Sequence, residues 1–260
     1  MSNETTGGAA PGRYKGLLFA VAAILLALAG GVAGWVWQSR QMAVNPAAAL
    51  SAANRAAMEQ VVREYILANP EILPEAMENL RKRENAKQLS GVSSEVTKPF
   101  PGAILGNPQG KVTLVEFTDF ACTFCRQSVA DVDALIAANP DLRVVIRELP
   151  ILSPASAAAA RMALAAAEQG KYGAFHRAMF AAGQLDDASI DAAARVAGLD
   201  MERAKRVAAA PHVEAELSNN LELARKLGFS GTPSWAIGDQ LLSGALGRDA
   251  LARAIAEARD

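Results

Sequence analysis

Val112-Thr113-Leu114-Val115-Glu116-Phe117-Thr118-Asp119-Phe120-Ala121-Cys122-Thr123-Phe124-Cys125 is the stretch that decides how this chain is read. Val112, Leu114, Val115 and Phe117 form a short apolar run with the character of a buried strand. After Cys125 the apolar residues Val129, Val132, Leu135 and Ile136 recur at helical spacing. The two cysteines therefore stand where a strand gives way to a helix. At a helix N-terminus the unsatisfied N–H groups and the macrodipole favour negative charge on the first sulfur. A thiolate is the nucleophile of disulfide exchange. Cys122 thus reads as the attacking thiol, and Cys125, one turn deeper, as the thiol that closes an internal disulfide or resolves a mixed one. Half of a metal site and an inert structural disulfide are the competing readings of a bare Cys-x-x-Cys.

Downstream, residues 142–149 read as a second strand, so strand, helix and strand imply a parallel βαβ unit and an α/β fold. Residues 153–210 are almost wholly helical, with breaks at Gly170, Gly183 and Gly198. A helix over 213–227 is closed by Gly228. Residues 235–237 and 240–242 flank Gly238-Asp239 as a hairpin, and a helix over 248–259 ends the chain. Phe120 and Trp235 read as core or site-rim packing. Arg126 either adds positive charge near Cys122 or is a solvated helix residue.

Upstream, residues 51–90 are helical in composition. Met58, Val61, Val62, Tyr65 and Ile66 have amphipathic spacing. Pro70 and Pro74 interrupt, which implies two helices. The second carries Ala76, Met77 and Leu80 beside the charged Arg81, Lys82, Arg83 and Glu84. So polar a segment reads as a stalk or a self-association element. Residues 39–50, alanine-rich with Pro46 inside, read as a linker. Residues 16–37 hold no charge, and their length matches the roughly 30 Å core of a bilayer. Arg13 and Lys15 precede them, and Trp35 and Trp37 stand at the far end. The expectation is a cytoplasmic tail over 1–15, a transmembrane signal-anchor over 16–38, and the rest exported, where a disulfide can persist. A cleavable signal peptide is the alternative, but its apolar region runs to about 7–15 residues and ends in small residues.

Composition excludes other classes. The 260 residues are 51% apolar with a net charge of −1, so no basic field exists to hold nucleic acid. Two cysteines cannot make a disulfide framework. His176 and His212 lie far from them in sequence and read as ordinary helix residues, leaving no expected metal or cofactor.

Residues 115–125 resemble the DsbA-like branch of the thioredoxin superfamily, and Gly231-Thr232-Pro233-Ser234, after a helix and before a hairpin, is a second match. The resemblance covers about residues 100–260. It implies a thioredoxin-like fold over 91–260 with a helical insertion over about 153–210. It also implies a cis peptide at Pro233 facing the cysteines, with Thr232 and Pro233 receiving an extended substrate. Glu116, six residues before Cys122, matches the family's buried acid, which shuttles the proton of Cys125. Thr123 and Phe124 depart from the proline-containing pairs common in the family, and these residues tune the thiolate. Residues 56–84 resemble the N-terminal helical region of ScsC-like and Com1-like members, where it drives oligomerisation.

These resemblances lead to a single-pass inner-membrane protein with its catalytic domain in the periplasm. It is expected to form a homo-oligomer that oxidises, isomerises or reduces disulfides of exported proteins and is recycled by a membrane redox partner. The oligomerisation segment and the threonine before Pro233 lean toward isomerisation. Two soft thiolates also suit Cu(I), and ScsC-like proteins are associated with copper tolerance, so copper handling is the alternative. A non-catalytic membrane scaffold is the third reading.

Overall fold

A computed structural model describes residues 13–44 and 52–259, and side chains over 24–40 and 54–259. Most of the expected N-terminal tail and the Pro46 portion of the linker lie outside the described residues. The chain divides into two compact units, Met1–Glu75 and Ala76–Asp260.

The first unit holds helix α1 (Arg13–Val44) and helix α2 (Ala52–Ala68). Among the described residues no helix is long and apolar enough to cross a membrane. Helix α3 (Ile72–Ser90) follows. The two helices expected around Pro70 and Pro74 are thus present, with one difference. Pro74 lies inside the first turn of α3 rather than opening it, where its missing N–H costs no helical hydrogen bond.

The second unit continues with the short helix α4 (Ser93–Val96) and strands β1 (Ile104–Gly106) and β2 (Val112–Thr118). Helix α5 (Thr123–Ala138) and strand β3 (Leu142–Glu148) complete the βαβ unit. Five helices then run in succession: α6 (Pro154–Ala167), α7 (Tyr172–Ala181), α8 (Asp187–Val196), α9 (Met201–Ala208) and α10 (Pro211–Lys226). Strands β4 (Ser234–Ile237) and β5 (Gln240–Ser243) form the hairpin, and α11 (Arg248–Glu257) closes the unit.

The sheet order is β1-β3-β2-β4-β5. β2 and β3 are parallel, with Leu114 opposite Val144, Glu116 opposite Ile146 and Thr118 opposite Glu148. The other pairings are antiparallel. Because side chains alternate along a strand, the register sorts the core into two layers. Leu114, Val144, Ile146 and Trp235 join Phe120, Cys125, Tyr172 and the alanine-rich α6 on one face. Val115, Phe117, Val145 and Ala236 join Leu89, Val96, Leu223, Leu227 and Phe229 on the other.

Local chemistry sets the boundaries of the inserted helices. Ser153 caps α6 by accepting from Ser156 N at 3.1 Å, with Pro154 in the first turn. Asp186 and Ser189 form a reciprocal capping box on α8. Gly228, with φ of +72°, ends α10 in the left-handed conformation, and Phe229 N donates to Ala224 O at 2.8 Å. On the second face a buried Arg147 donates to Glu216 at 2.8 Å, Asn220 at 2.9 Å and Val96 O at 3.2 Å. It thereby ties α4 and α10 to β3. A cation so deep is tolerable only when fully paired in this way.

Candidate functional site

Cys122 is the N-cap residue of α5, with an extended backbone at φ −80° and ψ 117°. Its sulfur accepts from Cys125 N at 3.4 Å, so it takes the place of a capping oxygen at the positive end of the helix. Cys125 lies one turn in and is fully buried, whereas Cys122 keeps a small opening to solvent. Both are free thiols. The Cys122 thiol donates to Thr232 O at 3.2 Å, and the Thr232–Pro233 peptide is cis. The two motifs, 110 residues apart in sequence, therefore meet at the edge of β4.

Burial pushes the Cys125 thiol far up. The Thr118 hydroxyl, the Asp119 backbone and the Thr232 hydroxyl act in the opposite direction, while the charge of Glu116 adds to the rise. The hydroxyls of Thr118 and Thr232 are both buried beside the sulfur. Glu116 lies in the middle of the central strand, between Ile146 of β3 and Trp235 of β4, and is buried. Loss of solvent raises its carboxyl from 4.5 to about 8. Near neutral pH it is a neutral acid whose charge, once formed, is felt at Cys125.

Asp119 organises the rim, and sequence reasoning did not single it out. One oxygen accepts from Ala121 N at 2.8 Å, in the turn before Cys122. The other accepts from Ile151 N at 2.9 Å and Leu152 N at 3.0 Å, in the loop after β3. An aspartate three residues before a helix cap reads in sequence as a turn residue. Its second pair of partners is more than thirty residues away and is brought near only by the sheet. Ile151, Leu152 and Phe124 are exposed on this rim.

The remaining expectations fall as follows. Trp235 is core, its Nε1 donating to Gly244 O at 3.0 Å. Phe120 is core, edge-on to Phe175 and tilted against Phe180. Arg126 is exposed. His212 stacks on Phe100 and pairs with Glu168 at 2.7 Å. His176 is buried among Phe120, Tyr172 and Phe180 with neither ring nitrogen partnered, and burial lowers it to about 4. Glu148 and Tyr172, buried beside these residues, were also not singled out. Alternation along β3 from Val144 and Ile146 places Glu148 on the cysteine face, and that was the available signal.

A cysteine pair opening a helix after the central strand, facing a cis-proline across it, is the arrangement of thioredoxin-fold thiol–disulfide exchange proteins. The family described as DSBA-like thioredoxin domain matches residues 113–256, and the chain belongs to it. The copper resistance protein ScsC N-terminal domain matches residues 54–87. Among solved structures, a thioredoxin-like oxidoreductase from Silicibacter pomeroyi is 45% identical, with 60% of this chain and 91% of that one covered and a TM-score of 0.58. The thiol-disulfide exchange protein α-DsbA2 from Wolbachia pipientis is 30% identical, covering 68% and 97%, with a TM-score of 0.63. A linker-deletion mutant of ScsC from Proteus mirabilis is 29% identical, covering 81% and 97%, with a TM-score of 0.63. The curated relatives are longer. The chain is 28% identical over 182 residues to Na(+)/H(+) antiporter NhaA 1 of Salinispora arenicola and spans 28% of its length.

Proposed function

We propose that this protein is an exported, membrane-tethered thiol–disulfide oxidoreductase that oxidises or isomerises disulfides of exported proteins through Cys122 and Cys125. The observation that carries this reading is the contact of the Cys122 thiol with the carbonyl of Thr232 beside cis-Pro233. The backbone that an extended client would pair with lies against the sulfur that would attack it. In the oxidising direction a client thiolate attacks the Cys122 sulfur of the internal disulfide. The new bond joins client and Cys122, and Cys125 leaves as a thiolate. A buried leaving group of raised proton affinity needs an acid nearby, and the neutral Glu116 carboxyl serves. A second client thiolate then releases Cys122. Exposed Phe124, Ile151 and Leu152 suit an unfolded client.

Two features support tethering and assembly. Residues 16–37 carry no charge, and Ile24, Leu25, Leu26, Leu28, Val32, Trp35 and Trp37 all stand exposed. A helix apolar all round belongs in a bilayer or a protein core. Helix α2 exposes Met58, Val61, Val62 and Tyr65 along one stripe, which copies of the chain would cover. Several cysteine pairs around a shared client favour isomerisation.

Reduction of insulin and refolding of scrambled ribonuclease test the reading. Activity in both, lost in Cys122→Ala, supports it, and absence of both from the wild type sinks it. Copper handling has one specific support, the match of residues 54–87 to a domain of a copper resistance protein. Titration of the reduced protein with Cu(I) tests it, since tight stoichiometric binding lost in Cys122→Ala would establish that second role.

A further inference from the structure

β2 ends in Thr118, whose side chain is wholly buried. Alternation along the strand from Leu114 and Glu116 sets that side chain on the face that carries Cys125, opposite to Val115 and Phe117. Its backbone is held on both sides. The Thr118 carbonyl accepts from Leu149 N at 2.8 Å. The next residue, Asp119, is gripped by the N–H groups of Ala121, Ile151 and Leu152. A β-branched side chain on so fixed a backbone has little freedom at χ1, so the hydroxyl keeps its place.

That place is beside the Cys125 sulfur. Burial drives the Cys125 thiol up, and the Thr118 hydroxyl is the largest influence in the other direction, ahead of the Asp119 backbone and the Thr232 hydroxyl. The Thr232 hydroxyl comes from a different element, the loop before β4, whose carbonyl meets the Cys122 thiol at 3.2 Å. Two hydroxyls from two elements thus converge on one reacting atom.

In the dithiol neither is satisfied: Thr118 Oγ1 and Thr232 Oγ1 are both buried without a hydrogen-bond partner. A hydroxyl left unpaired in a dry site carries its full desolvation cost. Valine fills a strand position of this shape without that cost, and strands favour it. What changes during exchange is the sulfur. A thiol is a weak acceptor, whereas an ionised acceptor draws a hydrogen bond roughly twice as strong as a neutral one.

We propose that the Thr118 hydroxyl is a catalytic donor for the leaving sulfur: unpaired against the Cys125 thiol, it hydrogen-bonds the Cys125 thiolate as the internal disulfide breaks. The proposal rests on the reading of Cys122 and Cys125 as an exchange pair. A client thiolate attacks the Cys122 sulfur and forms the mixed disulfide. The Cys122–Cys125 bond breaks, and its electron pair stays on Cys125. Thr118 donates a hydrogen bond to that charge and keeps its own proton. The proton that finally neutralises the sulfur comes from the Glu116 carboxyl. A donor already in place where charge develops needs no reorganisation at the moment of reaction.

Single-turnover reaction of the oxidised full-length protein with a cysteine-containing peptide tests this, read beside the equilibrium with glutathione and urea unfolding. Thr118→Val keeps the shape and removes the donor, so it should slow the reaction about tenfold. The glutathione equilibrium should stay within about twofold, because the finished product is again a neutral thiol. The urea midpoint should hold or rise, since an unpaired hydroxyl has left a dry site. Thr118→Ser, which retains the hydroxyl, should react within about threefold of the wild type. A purely structural threonine gives another pattern, with rate and stability falling together. A Thr118→Val protein that reacts at the wild-type rate overturns the proposal and leaves the exchange reading intact. A glutathione equilibrium that moves by the same factor as the rate also overturns it, because the hydroxyl would then act on the resting dithiol. Failure of the exchange reading itself would show as a wild type that does not react, or as exchange that survives Cys122→Ala, whatever residue stands at 118. If Thr118→Val does not fold, Thr118→Ala, which also lacks the hydroxyl, decides in its place.

Discussion

Helix α2 and the sheet of the second unit treat the same kinds of side chain in opposite ways. In α2, Val61 is 64% exposed and Tyr65 61%, whereas in β2 and β4, Phe117 and Trp235 are wholly covered. The contrast is one of geometry. A lone helix offers its apolar stripe one line of neighbours at most, and its own turns cannot cover it. A sheet flanked by helices encloses both faces, and β2, β3 and β4 profit from that. One region is closed over its apolar side chains, and the other leaves an apolar stripe exposed.

Perturbing each region should therefore have consequences of different kinds, and the largest belong to the sheet. Cys122→Ala should reduce disulfide exchange to background while the far-ultraviolet spectrum stays that of the wild type. Residual turnover in that variant would mean that Cys125, fully buried, can attack unaided, contrary to the assigned order. Trp235→Ala should cost about 3–5 kcal/mol in urea unfolding, because it empties a covered site and strands the Gly244 carbonyl. A cost below about 1 kcal/mol would mean that the sheet face can collapse around the loss.

Glu116→Gln sharpens the comparison through pH. Its carboxyl is raised in the folded state from 4.5 to about 8, so between those values the folded protein holds a proton that the unfolded chain has lost. Stability must then fall as pH rises through this window, by up to about 1.4 kcal/mol per pH unit from this group. Chemical denaturation at several pH values should show the glutamine variant with a flatter slope and higher stability near the top of the window. His176 acts with the opposite sense on the acid side. Lowered to about 4 from 6.5, it destabilises the fold progressively as pH drops between those values. His176→Phe should reduce the acid sensitivity, and an unchanged acid limb would assign that sensitivity elsewhere.

The smallest effect on the catalytic unit should come from α2. Val61→Ser should change unfolding of the second unit by less than about 0.5 kcal/mol, as exposed substitutions do. The same substitution should weaken self-association in light scattering. A wild type that is monomeric across micromolar concentrations would make α2 a spacer and remove the support for isomerisation.

Much of this was legible before any coordinates. Short apolar runs located β2 and β3, helical spacing located α5, Gly238-Asp239 located the terminal hairpin, and composition with glycine breaks located the helical run between them, because these signals are local. Strand β1 and helix α4 were not seen. Three and four residues carry too little period to register, and both exist because the edge of β3 and the side chain of Arg147 hold them. The cysteines and Thr232-Pro233 were readable as motifs, since a backbone demand and a chemical demand fall there on consecutive residues.

By itself, the sequence determined which thiols can react, the order of strands and helices along the chain, and the existence of a separate helical segment with an unmatched apolar stripe. Only the tertiary structure decided that Thr232 touches Cys122, that Asp119 pins the loop at Ile151 and Leu152, that Glu116 is buried, and that Tyr172 meets the buried Glu148. The reason is physical. A carboxylate's chemistry is set by its solvent and its neighbours, and those are supplied by strands that pair across tens of residues, at separations where no local pattern in the chain records who will meet whom.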